Sequence, residues 1–260
     1  MQTLAVPELI DTPAPGRRRV LRHWRGALLL AVACAVLAAA WQLARPAAAD
    51  MLADAMPPEL AAQAGQDMLR ELDIHTLLPS ELDGARQQRI SSAFASLQAP
   101  HEGAPRHRLL FRSGHAGATA FTLPSGDIIV TDALLRALPD DGAVLAVLAH
   151  ELGHLHRSHM LRRLTQEAML PAAASIVFGN TDWLVSSVGA RVPQLAWPPQ
   201  AEIEADDYAA DLLEHNGLSL RNLAEVQEVL SRQGSAQRAY LAIHPPCADR
   251  LAHQRERSAL

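Results

Sequence analysis

Ala146–His159 reads AVLAHELGHLHRSH, an apolar, alanine- and leucine-rich run that carries four histidines and one glutamate. Asp140 and Asp141 stand just before it, and Arg157, Arg162 and Arg163 follow. Acidic residues at the start and basic ones at the end suit a helix capped by Asp140 and complementary to its own dipole, expected to run to about Arg163. His150, Glu151 and His154 form HExxH on that helix. Two histidines four apart lie about 40° apart around the axis, so both rings reach one ion. Glu151 lies about 100° from His150, beside the ion and able to touch a water there. His156 and His159 fall about 240° and 180° from His150 on the same helix, too far round to share the ion. They are expected to make ordinary polar contacts or to be solvated.

A third ligand has to come from elsewhere. AEIEADDYAADLLEHNG (201–217) follows Pro198-Pro199 and stops at Asn216-Gly217, the signature of a complete helix. With Glu202 at 0°, Ala205, Asp206, Ala209 and Leu213 fall within about 60° of it. Glu204, Asp207, Asp211 and Glu214 fall at about 120–200° and are expected on a solvated face. Two carboxylates on an apolar stripe need partners, because an uncompensated buried charge is costly. A zinc ion and its histidines would supply them, with Glu202 as ligand and Asp206 accepting a histidine N–H. Gly153 costs about 1 kcal/mol inside a helix. It lies about 60° behind His150's direction, where the lack of a side chain would let the second helix come close.

Around this pair of helices the chain is mostly helical. ELAAQAGQDMLRELD and LDGARQQRISSAFASL read as amphipathic helices split by Leu78-Pro79. HRLLFR, ATAFT and DIIVT read as short strands, the last two joined by a Leu123–Gly126 turn. Thr131-Asp132 caps a short helix, ALLRAL. Met169–Gly179 is apolar but too short to span a bilayer, which favours a buried helix over a membrane-facing hairpin. Further helices are expected over Arg221–Arg232 and after Pro246. The class is α+β, a mostly α-helical zincin-like domain with a small hairpin sheet.

The N-terminus sets the compartment. Arg17, Arg18, Arg19, Arg22 and Arg25 precede an apolar run, Gly26–Ala44, broken only by Gln42. At about 1.5 Å per residue such a run just crosses a bilayer. Trp24 and Trp41 sit at its two ends, where an aromatic belt would place them. The arginines should stay cytoplasmic and the rest should be exported. A retained signal anchor, a cleaved signal peptide ending at Ala47-Ala48-Ala49, and a lipoprotein signal using Cys34 all remain open. The expected organisation is a basic cytoplasmic segment (1–25), the anchor or signal (26–44), a linker (45–57) and the zinc domain (58–260).

Composition excludes some classes. The chain has 260 residues and a formal charge of -5. Residues 1–44 hold five arginines against Glu8 and Asp11, so the body carries a net -8, unsuited to nucleic acid. Cys34 and Cys247 are the only cysteines, too few for a disulfide framework or a thiolate zinc site.

HELGH followed by EIEAD resembles the HExxH…ExxAD signature of the CAAX-prenyl-protease-like and HtpX-like metallopeptidases, whose small exported bacterial branch includes the BepA and Oma types. ATAFTLPSGDIIVTDALL resembles that family's strand pair before the zinc helix, and IHPPCADRL its late His-Pro segment. The resemblance covers roughly 58–252. Thr119 stands where the family usually has Asn, and the multi-span core of the prenyl proteases is absent, which points away from prenylated substrates. The resemblance implies one zinc per chain with Glu202 as third ligand and Asp206 in support. It also implies His244 at the site, either polarising the scissile carbonyl or occupying the open zinc position.

Three protein ligands leave one tetrahedral position for water, whose pKa zinc lowers toward about 7. Glu151 would take its proton and pass it to the leaving amine. The leading expectation is an exported zinc endopeptidase acting on extended or misfolded envelope proteins laid along the hairpin's edge strand. The competing ones are a non-catalytic zinc-containing chaperone or assembly factor, and a zinc hydrolase acting on a non-peptide amide. Protein or peptide substrates and the membrane are the expected partners, and the oligomeric state is left open.

Overall fold

In a computed structural model of the chain, residues 17–101, 103–178, 196–232, 239–246 and 248–258 are described. The chain divides into two units, Met1–Ala48 and Ala49–Leu260. Helix α1 (Arg17–Asp54) contains the apolar run, and Gly26–Asp54 is long and apolar enough to cross a membrane. The alanine- and proline-rich stretch read as a linker, 45–57, is helical as far as Asp54. Three consecutive alanines after Pro46 favour helix, and its last turn is tied down within the larger unit. Asp50 and Asp54 each meet Arg162 at 3.0 Å, and Ala49 O accepts from Thr165 Oγ1 at 3.1 Å.

The larger unit continues with α2 (Pro58–His75), β1 (Leu77–Pro79), α3 (Gly84–Ala95) and β2 (Arg108–Gly114). Next come β3 (Ala120–Thr122), β4 (Asp127–Thr131) and α4 (Asp132–Ala137). The four strands form one mixed sheet in the order β1-β2-β4-β3, with β2 and β4 parallel and the other pairs antiparallel. The expected hairpin is present, closed by the Gly126 N–H donating to Leu123 O, with Gly126 at φ +86°. The sheet is larger than the hairpin alone. Leu77–Pro79, read as a helix break, supplies an edge strand.

Strand β4 is buried throughout, and its side chains alternate between two cores. Ile128 and Val130 join the core around α5 (Asp141–His156), while Ile129 joins Leu72, Leu77 and Phe121. Burial on both faces explains why Ile-Ile-Val is continuous rather than alternating.

Helix α5 starts at Asp140, whose side chain accepts from the Ala143 N–H, as expected. It does not run to Arg163. It ends at His156, Ser158 adopts φ +54°, and α6 (His159–Phe178) begins as a separate helix. The Met169–Gly179 side chains lie outside the described residues, so burial against membrane contact is not decided there. Helix α7 (Pro199–His215) packs along α5, with α8 (Arg221–Arg232), α9 (Ala239–Ile243) and α10 (Ala248–Ser258) completing the unit.

Candidate metal and catalytic site

The contact between α5 and α7 is where the chemistry collects. A Cβ on Gly153 would lie 2.6 Å from Ala205 O and 2.8 Å from Ala205 Cα, so only glycine permits this approach. The expected inward stripe of α7 is buried, Glu202 and Asp206 included, and faces His150 and His154, both buried on α5. Asp207, Asp211 and Glu214 lie on the outer side, where α10 meets them through His253 and Arg257.

His150 Nε2 and His154 Nε2 are 3.0 Å apart, and His244 Nδ1 lies 3.2 Å from His150 Nε2. Glu202 Oε1 is 2.9 Å from His244 Nδ1 and 3.3 Å from His154 Nε2, and Glu202 Oε2 is 3.6 Å from His150 Nε2. The four ligand atoms lie within 4.8 Å of one another. Ligands about 2.0–2.1 Å from a tetrahedral ion sit about 3.3 Å apart, the spacing seen here. Ring nitrogens facing one another this closely need protons or a cation between them.

Glu151 strengthens the fit. It is fully buried, yet neither carboxylate oxygen has a hydrogen-bond partner among the described residues. Burial pushes its carboxyl above the ordinary range, against the pull of His244 and His150. Its Oε1 lies 3.2 Å from His244 Nε2, which is likewise without a hydrogen bond. A buried carboxylate without a hydrogen bond, beside four converging ligand atoms, suits a site meant to receive something further. His154 is held well below its usual pKa by burial. His150 faces the same penalty, but Glu202 and Asp206 outweigh it and raise the ring to about 9. Burial would raise Glu202, but His244 and His150 hold it well below the carboxylate range.

A second ring of contacts orients these groups. His150 Nδ1 donates to Asp206 Oδ1 at 2.8 Å, the expected supporting carboxylate. Arg250 was not anticipated. Its Nε and Nη2 donate to Asp206 at 2.6 and 2.9 Å, and Nη1 pairs with Glu202. It lies in the late His-Pro segment, but one arginine on a polar C-terminal helix carries no local signal of burial. Tyr240 stacks on His244 with ring centroids 4.3 Å apart, and its backbone carbonyl accepts from the His244 N–H.

His156, expected in polar contacts or solvent, is half-buried and stacks on Tyr208. His159 lies outside the converging group of four, but neither is it a surface residue. The break at Ser158 turns its ring inward, so that Nδ1 lies 2.9 Å from His154 Nδ1 and Nε2 lies 3.3 Å from Glu204 Oε2. Glu204, read as part of the solvated face, is half-buried and partnered.

Beside His154 a groove of about 720 Å³ opens between the α5–α6 junction, the β3–β4 turn and the segment Ala53–Ala62. Strand β3 is an edge strand. Thr131 N–H donates to Thr119 O and Leu123 N–H to Asp127 O, so alternation turns the backbone of Ala120 and Thr122 toward the open edge. The Thr122 hydroxyl is buried, has no hydrogen-bond partner among the described residues, and lines the groove. Thr119 is pinned by its N–H donating to Thr131 Oγ1 at 2.9 Å.

Paired helices presenting HExxH and a carboxylate to one point, beneath a sheet with an open edge strand, define a metallopeptidase. Residues 80–258 match peptidase family M48, and the chain belongs to that family. The chain is similar to the metalloprotease LoiP of Escherichia coli K12, 29% identical over 79% of this chain and 82% of LoiP. It is also similar to the mitochondrial metalloendopeptidase OMA1 of Arabidopsis thaliana, 33% identical over 48% of this chain and 26% of that protein. The beta-barrel assembly-enhancing protease of E. coli K12 is 25% identical over 59% of this chain and 34% of its own length. These last two alignments span only 26% and 34% of the relatives' own lengths.

Proposed function

We propose that the protein is a zinc endopeptidase of the bacterial envelope, with His150, His154 and Glu202 as ligands and Glu151 as general base. The buried Glu151 carboxylate, without a hydrogen bond among the described residues and beside converging ligand atoms, carries this reading. A zinc ion at this point supplies Lewis acidity toward a peptide carbonyl and acidifies the water beside it. Glu151, held above the ordinary carboxylate range by burial, accepts that water's proton and returns it to the leaving amine. Asp206 fixes the His150 ring through Nδ1, and Arg250 fixes Asp206. His244 Nδ1 lies 3.2 Å from His150 Nε2 and 2.9 Å from Glu202 Oε1, so this ring would have to move for a substrate to reach an ion held there. The substrate is an extended chain lying along β3, held by the backbone of Ala120 and Thr122.

The arginine-flanked apolar segment supports a membrane-tethered protein with its catalytic unit on the periplasmic side, and the name of one relative, the beta-barrel assembly-enhancing protease, supports envelope proteins as substrates. The test is zinc content and casein cleavage of the full-length chain. Wild type holds one zinc and cleaves. Glu202→Ala loses the zinc, and Glu151→Gln keeps it while cleavage falls by at least about 10²-fold. Equal zinc in wild type and Glu202→Ala would sink the ligand assignment, and undiminished cleavage by Glu151→Gln the mechanism. Envelope function that survives in Glu151→Gln would favour a chaperone.

A further inference from the structure

We propose that His159 is a positioning residue for the second histidine of the site, fixing the tautomer and orientation of His154, with Glu204 as the outer end of the same relay. The proposal rests on the reading of His150, His154 and Glu202 as a metal site.

Proton placement carries it. The Nδ1 atoms of His154 and His159 are 2.9 Å apart, so one of them must donate. His154 Nε2 faces His150 Nε2 and Glu202 Oε1 at 3.0 and 3.3 Å, and it can hold an ion there only with its lone pair free. A neutral His154 then carries its proton on Nδ1 and donates to His159 Nδ1. His159 in turn carries its proton on Nε2, which donates to Glu204 Oε2 at 3.3 Å. The other Glu204 oxygen accepts from Gln200 Nε2 at 3.0 Å. Every donor finds an acceptor in one direction, from the site to the surface.

The two ligand histidines are therefore supported in different ways. His150 leans directly on the buried carboxylate of Asp206, whose charge Arg250 offsets. Among the described residues, no arginine is bonded to a carboxylate behind His154 in this way. A carboxylate in direct contact would put another buried negative charge beside Glu202 and Glu151. A neutral imidazole passes the polarisation outward to a carboxylate whose side chain is 35% exposed and pays no such penalty. Two features are built around this relay. Ser158 takes up φ +54°, a conformation unfavourable for a residue with a Cβ, and thereby turns His159 back toward α5. Trp197 stacks on His154 with centroids 4.7 Å apart and lies 6.1 Å from His159, covering the pair.

The experiment uses the full-length protein and reads zinc affinity by chelator competition, the visible spectrum of the cobalt-substituted form, and kcat and KM on casein. His159→Leu keeps the bulk and removes the hydrogen bonds, and zinc affinity falls by about 10- to 100-fold. Its cobalt spectrum shifts, and kcat drops with KM little changed. In His159→Asn, Oδ1 stands where Nδ1 stood and can still accept from His154, so most of the affinity and the native spectrum return. A packing role would not separate leucine from asparagine in this way. Glu204→Gln keeps an acceptor for His159 but removes its charge, and weakens zinc by less than the roughly 10-fold of a lost outer partner. Glu202→Ala is measured alongside, and if it binds zinc as tightly as wild type the site reading itself fails. Zinc lost in Glu202→Ala but held within twofold of wild type by His159→Leu, or an asparagine variant no better than leucine, overturns the relay alone. Should His159→Leu fail to fold, Glu204→Gln decides, and unchanged affinity there overturns the proposal.

Discussion

Asp206 accepts from His150, from two nitrogens of Arg250 and from Gln254 Nε2 at 2.7 Å. Burial alone would raise its pKa, but the bonds from His150 and Arg250 win and hold it at about 2, below the ordinary 3.8. A carboxylate lowered on folding stabilises the fold fully above the unfolded pKa and loses that contribution as pH falls through the folded one. The metal-free protein should therefore lose about 2 kcal/mol between pH 5 and pH 2 through this group. Urea midpoints across that range should fall less steeply for Asp206→Asn, and parallel slopes would remove Asp206 from acid unfolding. At this scale the sequence was legible wherever helical period applies. His150, Glu151, His154, Glu202 and Asp206 share two faces that spacing alone defines. Arg250, His159 and Glu204 were not legible, because their roles depend on which segment arrives opposite them.

At the scale of elements, the Gly153–Ala205 contact sets the distance between the two helices that make the site. Gly153→Ala places a Cβ 2.6 Å from a backbone oxygen, which cannot swing aside as a side chain would. The helices must part, and overpacking of this kind costs about 1–3 kcal/mol. Thermal unfolding should register that loss, and zinc binding should weaken because Glu202 rides on the displaced helix. A variant with native melting temperature and zinc affinity would show that the approach is not tight. That close approach was readable from one glycine in an otherwise strong helix. The end of α5 was not, since LHRSHMLRR is a good helical sequence throughout and nothing local marks Ser158 for positive φ. Projecting one unbroken helix placed His159 opposite His150, and the break reverses that direction. The parallel pairing of β2 with β4 was equally hidden, because non-local partners leave no periodicity in either strand.

Across the whole molecule, the apolar part of α1 is exposed from Gly26 to Leu43 and belongs to a separate compact unit, Met1–Ala48. An uncovered apolar helix of that length calls for a bilayer. Membrane fractionation with N-terminal sequencing of the mature protein should find an intact anchor in the membrane pellet. A mature chain beginning at Asp50 in the soluble fraction would establish a cleaved signal instead. The charge pattern and tryptophans made an apolar segment long enough to span legible, but an Ala-x-Ala site beside it suits both an anchor and a cleaved signal. The body is less ambiguous, because its helices, hairpin and site-bearing pair all left periodic signals.

On the proposed reading, the open edge of β3 would offer a client backbone amides and carbonyls through Ala120 and Thr122, and a backbone edge of this kind recognises conformation more than sequence. Selection then passes from the protease to the client. A folded protein is cut only through the fraction of time a segment stands open, so each 1.4 kcal/mol subtracted from its local stability raises cleavage about tenfold. Such an enzyme reads the thermodynamics of its neighbours, and its specificity is written in their folding equilibria.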